Sequence, residues 1–129
     1  RLLYDPALPG ITVPVRLLIG EVWVETDAKL DTGSSHSVFA REIAEALGIV
    51  VGAGEPIRIA TVNGAFLAYG HTIAIRAIEQ QFDAMVYFAA EYGFPRNVLG
   101  RRGFIDRLRL GIVDYDGVLL ASAYDDALE

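Results

Sequence analysis

Alternation of apolar and polar side chains predicts that the first part of the chain forms two β-strands. Apolar residues occupy every second position from Ile11 to Ile19, and residues 22–30 form a second alternating run that ends just before Asp31. Gly20, between the two runs, permits a tight turn. The pattern therefore predicts a hairpin that carries Asp31 to the middle of the molecule.

A helix is predicted shortly after this hairpin. Ser37 is a suitable N-cap, because its hydroxyl can accept a backbone N–H of the first turn, and Gly48 is a suitable end. The apolar stripe of this helix consists of Phe39, Ile43, Ala46 and Leu47. These positions lie on one helical face, as expected for a helix packed against a core.

Asn63-Gly64 is the clearest turn signal in the sequence. Both residues tolerate the positive φ angles of a two-residue turn, and extended runs flank them at residues 57–62 and 65–69. A hairpin with Asn63 and Gly64 at its tip is therefore predicted. Two further strands and the polar turn between them are expected at residues 71–78, 82–88 and 79–81.

The last third of the chain shows a short apolar segment and one more hairpin. Val98-Leu99-Gly100 is followed by a predicted short helix lined by Phe104, Ile105 and Leu108. Residues 112–121 are predicted to form a hairpin that turns at residues 114–117, where aspartates and a glycine are concentrated.

Composition is consistent with one compact domain over residues 1–129. Of the residues, 53% are hydrophobic and 22% are charged, which provides enough apolar material for a core. There is no cysteine, so the sequence excludes disulfides and thiolate metal sites. The longest apolar stretch, residues 84–90, is only strand-sized, so no membrane span is predicted. A soluble domain is expected; no targeting segment is recognised, and localisation is left open.

Charge argues against a nucleic-acid partner. The net charge of −6 disfavours binding to phosphates, which requires many cations. A local concentration of arginine is the exception: Arg96, Arg101, Arg102, Arg107 and Arg109. Such arginines usually form solvated or ion-paired surface, and that interpretation is favoured over a nucleic-acid contact.

The candidate chemistry centres on Asp31-Thr32-Gly33-Ser34. Its position at the end of a predicted strand would hold the Asp31 carboxylate on rigid structure. The tripeptide Asp-Thr-Gly alone is a weak signal, expected by chance in roughly a few per cent of chains of this length. An ordinary turn aspartate that accepts backbone N–H groups is the alternative.

A second motif, Asn97-Val98-Leu99-Gly100-Arg101, adds weight to the first. With both motifs in this order, the chain resembles the retropepsin-like aspartic proteases, a family that includes the retroviral protease and bacterial relatives. The resemblance implies a mostly β fold, in which a closed barrel-like domain carries a flap hairpin and one or two short helices. The flap here is the hairpin predicted around Asn63 and Gly64.

The resemblance also implies an aspartic endopeptidase acting on a peptide or protein substrate. Two carboxylates would share a proton and activate water, a coupling for which aspartic proteases are the established example. Only one Asp-Thr-Gly is present, so the second carboxylate would come from a second copy of Asp31 across a homodimer twofold. No metal and no cofactor are expected.

Each remaining site residue receives a role from the same resemblance. Thr32 would hydrogen-bond across the twofold, Gly33 would allow close approach, and Ser34 would lie at the wall of the site. The flap tips, at Asn63 and Gly64, would close over substrate. Candidate pocket residues are Val62 and Val98, with Ile57 and Phe66 as further apolar candidates.

One departure from the retroviral pattern concerns the residues after the first motif. Ser35-His36 stands where those enzymes have two acidic residues, so Arg101 lacks its expected ionic partner. Adjacent side chains on extended backbone point to opposite faces, so Ser35 and His36 do not form a nucleophile–base pair. The main alternative to the enzyme is a catalytically silent module that dimerises or binds peptides, because fold does not dictate function.

Overall fold

The protein is represented by a computed structural model, which describes residues 1–126. Strands account for 55% of the described residues and helical segments for 12%, so the expected mostly β, barrel-like class is confirmed. The strands are β1 (Leu2–Leu3), β2 (Ile11–Ile19), β3 (Val22–Leu30), β4 (Val38–Phe39), β5 (Glu55–Thr61), β6 (Gly64–Ala77), β7 (Gln80–Ala89), β8 (Val98–Leu99), β9 (Leu108–Val113) and β10 (Val118–Ala123). The helical segments are α1 (Arg41–Ala46) and the 3-10 turns Val51–Ala53, Ile105–Arg107 and Asp114–Asp116.

Seven strands form a sheet that closes on itself. Their order is β2-β3-β8-β4-β7-β6-β5, and β2 also pairs with β6. This closing contact involves residues 16–18 of β2 and 74–76 of β6. Its short length leaves Pro14 unpaired on that edge, where a residue without an N–H is tolerated. The closed sheet removes most of the exposed edges that an open sheet would present.

The core fills the inside of this closed sheet. The alternation predicted for β2 is observed, because Val13, Val15 and Leu17 are buried while their neighbours lie outside the core. The largest fully buried side chains include Phe39 from β4 and Phe88 from β7. Each large apolar side chain buried in this way contributes roughly 1.5–3 kcal/mol, so the core is the main source of stability for the strands that carry the site.

A second, three-stranded sheet joins the two ends of the described chain. Its order is β1-β10-β9, and the β9–β10 hairpin confirms the hairpin expected at residues 112–121. Tyr4 follows β1 and donates its hydroxyl hydrogen bond to Asp114 (2.6 Å). This bond, with the Asp114 charge, raises the pKa of Tyr4 to about 12. The first strand is thereby tied to the last hairpin.

The helix predicted from Ser37 is wrong at its start. Helix α1 begins at Arg41, and its N-cap Ala40 makes no side-chain capping bond. Residues 38–39 instead form β4, which pairs with β7 on one side and β8 on the other. Strand pairing on both sides satisfies the backbone of this buried segment, which outweighs its helical spacing. The predicted end is confirmed, since Gly48 follows the helix with a φ of +78°.

The hairpin between β5 and β6 is confirmed, but its turn is shifted by one residue. Thr61 pairs with Gly64, so Val62 and Asn63 form the two-residue tip. Gly64 has a φ of +140°, whereas Asn63 does not adopt a positive φ. The turn therefore relies on glycine alone for the unusual backbone conformation, and not on the Asn-Gly pair.

The turn between β6 and β7 is also displaced from its predicted position. Ala77 pairs with Gln80, so the turn residues are Ile78 and Glu79. Their φ angles are +51° and +61°, in the region that glycine favours. Ile78 is buried, and its packing against the core offsets the strain of that conformation.

The short helix predicted after Gly100 is reduced to a single 3-10 turn. It spans Ile105–Arg107, and β9 begins immediately afterwards at Leu108. Phe104 and Leu108 are buried, so the apolar positions serve the core as expected. Strand pairing of β9 with β10 leaves no residues to extend the turn into a helix.

Replacing Glu79 by glycine should stabilise the protein. Glu79 is exposed at a φ of +61°, and its ion pair with the terminal amine is an exposed one that adds little. Because a non-glycine residue in this region costs about 1–2 kcal/mol and glycine costs about 0.5–1 kcal/mol of chain entropy, Glu79→Gly is expected to raise the free energy of unfolding by about 0.5–1 kcal/mol. Urea denaturation measures the change.

Gln81→Gly is the matched control for that substitution. Gln81 is exposed within β7 and has no positive φ. Glycine in a regular strand should lower the free energy of unfolding by about 0.5–1 kcal/mol. Equal destabilisation by both substitutions would show that the turn is not strained at residue 79.

Candidate active site

Asp31 follows β3 directly and lies beside the second motif. Strand β3 pairs in parallel with β8, with Leu30 opposite Leu99. The backbone N–H of Asp31 continues this pairing and donates to the Leu99 carbonyl (3.0 Å). The structure therefore brings together the two sequence motifs, which are separated by more than sixty residues along the chain.

The Asp31 side chain is oriented by its own turn. Its Oδ1 accepts the backbone N–H of Gly33 (2.9 Å), and the Asp31 carbonyl accepts the N–H of Ser34 (3.1 Å). The carboxylate itself is exposed to solvent. A Cβ at Gly33 would lie 3.2 Å from Oδ1, so glycine leaves room for the carboxylate. The bond from the Gly33 N–H to Oδ1 also occurs in ordinary aspartate turns. The packing of the segment that follows distinguishes the Asp31 turn from them.

The segment after the turn is held against the second motif by its backbone. Arg101 donates its N–H to the Ser34 carbonyl (2.8 Å), and Arg102 donates to the Ser35 carbonyl (3.0 Å). The Ser37 hydroxyl accepts the Gly100 N–H (3.1 Å) and donates to the Arg102 carbonyl (3.1 Å). Four hydrogen bonds thus hold residues 34–37 against residues 100–102.

Ser37 has a structural role that the sequence did not predict. It is completely buried, and its hydroxyl connects the segment after Asp31 to the backbone of Gly100 and Arg102. Its position before an apolar run resembled an N-cap, which led to the wrong helix start. Only the register of β4 against β8, at Val38 opposite Val98, places this hydroxyl inward.

Gly100 allows this close packing. A Cβ at Gly100 would lie 2.2 Å from the His36 carbonyl oxygen and 2.8 Å from the Ser34 carbonyl oxygen. Real Cβ atoms do not approach backbone so closely, because the van der Waals overlap is too large. The glycine of the second motif is therefore required by the contact between the two motifs.

The other predicted site residues fall into two groups. Thr32 is exposed beside Asp31, whereas Ser34 is half-buried and donates its hydroxyl to the His36 carbonyl (2.8 Å). The hairpin-tip residues Val62, Asn63 and Gly64 are all exposed. Val98 lies half-buried in β8, paired with Lys29 and Val38.

A groove of about 620 Å³ lies between the β5–β6 hairpin and residues 89–95. The Phe66 and Phe94 rings line it, with their centroids 5.3 Å apart. Asp31 and Val98 are outside its lining, as are the predicted tip residues Asn63 and Gly64 and the predicted pocket residue Val62. Residues 89–95 are not among the predicted site residues. The sequence feature that could have indicated this groove is the group of aromatic and proline residues just before the second motif: Tyr92, Phe94 and Pro95.

His36 and Arg102 line a second cavity of about 360 Å³. The two residues form a parallel bridge, and the His36 ring meets the Tyr87 ring edge-on at 5.1 Å. Burial, and then the Arg102 charge, lower the pKa of His36. At neutral pH His36 therefore carries no charge that would repel the neighbouring arginine.

Metal and membrane sites receive no support from the part of the chain described. Within residues 1–126, no three His, Asp or Glu side chains are grouped to hold a metal ion. His71, one of two histidines in the chain, contacts the Val51 carbonyl through Nε2 (3.0 Å). Among the helices of this same region, none has the length and apolar character needed to cross a bilayer.

Comparison with known families provides the deciding observation. A family model described as aspartyl protease matches residues 13–91, more than half of the chain. The chain belongs to this aspartyl protease family, which is part of the retropepsin-like clan. Among curated proteins, no match is found.

Family membership supports a protease function in general and implies peptide substrates. The matched region of this aspartyl protease includes Asp31 and the β5–β6 hairpin but ends before Asn97. The assignment of the second motif to the site therefore depends on the structure alone. There the Leu99 carbonyl accepts the Asp31 N–H, and Gly100 packs against the carbonyls of Ser34 and His36.

Removing the Ser37 hydroxyl should destabilise the protein. Ser37→Ala leaves the buried Gly100 N–H without its acceptor, and an unpaired buried donor costs about 1–3 kcal/mol. We expect the free energy of unfolding in urea to fall by that amount. Ser35→Ala, at an exposed position two residues earlier, should change it by less than about 0.5 kcal/mol. Equal, small effects would contradict the structural role given to Ser37.

Proposed function

We propose that this aspartyl protease is a homodimeric endopeptidase in which two Asp31 carboxylates, one from each subunit, activate a water molecule. The observation that carries the proposal is the exposed Asp31 carboxylate, held on a turn that the second motif supports. We further propose that residues 1–129 act as one domain of this type. Family membership provides the protease chemistry, and the dimer follows from the single Asp-Thr-Gly.

The chemistry requires two carboxyl groups in different protonation states. One takes a proton from water while the other gives a proton to the carbonyl oxygen of the scissile bond. Two carboxylates about 3 Å apart cannot both ionise, so they share one proton, as aspartic proteases are known to do. The pair then titrates as a unit with two macroscopic pKa values. A lone Asp31 cannot fill both roles at once.

Exposure of the turn supports a second copy as the missing half. Asp31, Thr32 and Gly33 are all exposed in one protomer. A catalytic carboxylate pair acts best where water is restricted, because electrostatic interactions are stronger there. A twofold contact through Thr32 and Gly33 would bring each Asp31 to its twin and cover both.

The β5–β6 hairpin supplies the proposed flap. Val62, Asn63 and Gly64 at its exposed tip would close over an extended substrate, whose main chain adds hydrogen bonds to the site. Ser34, with its hydroxyl bonded to the His36 carbonyl, would form part of the wall. Val98, half-buried in β8, would contribute apolar surface.

A second candidate function is a peptide-binding module without turnover. The groove between the hairpin and residues 89–95 favours it, because Phe66, Phe94 and Pro95 line that groove within a single protomer and Asp31 does not. An apolar peptide segment could occupy this groove without reaching a carboxylate. Cleavage that depends on Asp31 separates the two functions.

Asp31→Asn tests the catalytic role directly. The substitution preserves shape but removes the ionisable group, so cleavage of a mixed peptide library between pH 3 and 8 should fall by a factor on the order of 10²–10⁴. Products are measured by mass spectrometry and the assembly by solution mass. Asp27→Asn, an exposed position on the same strand, is the control and should retain activity.

Two results would overturn the enzyme proposal. Undiminished cleavage by a dimeric Asp31→Asn variant would remove Asp31 from the mechanism. A wild-type dimer that binds library peptides but produces no Asp31-dependent product would favour the binding module.

A further inference from the structure

A second concave surface lies beside the proposed catalytic turn. Two adjoining cavities, of about 360 and 280 Å³, share Arg102 and Asp106 in their linings. We call this surface the arginine pocket and define it by its polar and charged lining residues: Ser35, His36, Arg101, Arg102, Asp106 and Arg107.

The arginine pocket has an excess of positive charge. It holds three guanidinium groups but only the Asp106 carboxylate, within a chain of net charge −6. Asp106 is engaged by the Gly103 N–H, which donates to its Oδ1 (3.1 Å). Burial and the Arg102 charge lower the pKa of His36, so the neutral His36 ring does not change the charge of the pocket at neutral pH.

Two of the three arginines remain available. Arg107 donates to the Asp83 carbonyl (2.5 Å) and lies over the Phe82 ring at 4.9 Å, which fixes it to the fold. Neither Arg101 nor Arg102 forms an ion pair with any residue from 1 to 126. Paired cations in a concavity that are not neutralised by protein carboxylates attract an anion, and guanidinium groups bind carboxylates through charge-assisted hydrogen bonds.

The backbone fixes this pocket relative to Asp31. Arg101 and Arg102 donate their N–H groups to the Ser34 and Ser35 carbonyls, so the backbone of both arginines is held against the segment that follows Asp31. The Ser34 N–H closes a turn on the Asp31 carbonyl, so the Cα atoms of Asp31 and Ser34 lie within about 7 Å, and those of Asp31 and Ser35 within about 11 Å. An extended peptide advances about 3.3 Å per residue, so a substrate strand that runs from Asp31 toward Ser35 passes the pocket about three residues from the scissile bond.

From this arrangement we infer that the arginine pocket binds an acidic side chain of the peptide substrate, two to four residues from the bond that is cleaved. Arg101 and Arg102 contact the substrate carboxylate, and Arg107 adds to the local positive charge. The inference rests on the proposed peptidase function and extends it, because it states which substrates that site prefers.

Matched peptides test this preference. Peptides that differ only by Glu or Gln at these positions are compared by kcat/KM, and we expect the wild type to favour Glu by about three- to tenfold. Arg101→Gln/Arg102→Gln should reduce that ratio to about one. Arg76→Gln/Arg96→Gln removes the same charge from exposed positions outside the pocket and should preserve it. The wild-type ratio should also decrease with ionic strength, as expected for partly exposed charges.

A binding measurement keeps this test independent of turnover. Fluorescence anisotropy of the labelled Glu and Gln peptides with the Asp31→Asn protein should show the same three- to tenfold preference, lost in the background of Arg101→Gln/Arg102→Gln. If the wild type cleaves no peptide but this preference is present, the peptidase proposal fails and the acidic-ligand assignment stands.

Three outcomes would overturn the inference itself. One is a wild-type ratio of one, and another is a preference that survives Arg101→Gln/Arg102→Gln. The third is dissociation of the dimer by that double variant, measured by solution mass, which would assign the pocket to a carboxylate of a second copy.

Discussion

The contact between the Asp31 segment and the second motif is the constraint on which the site depends. The Asp31 backbone is bonded to Leu99, and the segment that follows is bonded to residues 100–102. Gly100 permits this approach because any side chain there would collide with the His36 carbonyl. Since the carboxylate sits at the end of this contact, its position is determined by backbone packing, and its own turn then sets the side-chain direction.

This constraint explains why the barrel is built around two very short strands. Strands β4 and β8 contain only two residues each, yet they lie between β3 and β7 in the closed sheet. Parallel pairing of β3 with β8, and of β4 with β7, inserts the second motif beside Asp31. The buried Ser37 hydroxyl satisfies the backbone groups that these short strands leave unpaired.

Features set by local physics were predictable from the sequence, whereas features set by long-range pairing were not. Alternation identified β2 because one face of it, at Val13 and Val15, packs on the core. The hairpin that ends near Gly64 was also expected, but its one-residue shift depends on the pairing of Thr61 with Gly64. Ser37 was wrongly predicted to be an N-cap. Its burial depends on β8 and Gly100, about sixty residues away, and no local sequence pattern indicates that contact.

In the proposed mechanism, each protomer of a homodimer contributes one Asp31 to a shared catalytic site. Refolding wild type together with Asp31→Asn at varied ratios tests this most directly, because every mixed dimer contains a single Asp31. Activity should fall as the square of the wild-type fraction, since only wild-type pairs would cleave peptide. Activity that falls in direct proportion to that fraction would mean that each chain works alone, and would contradict the shared site.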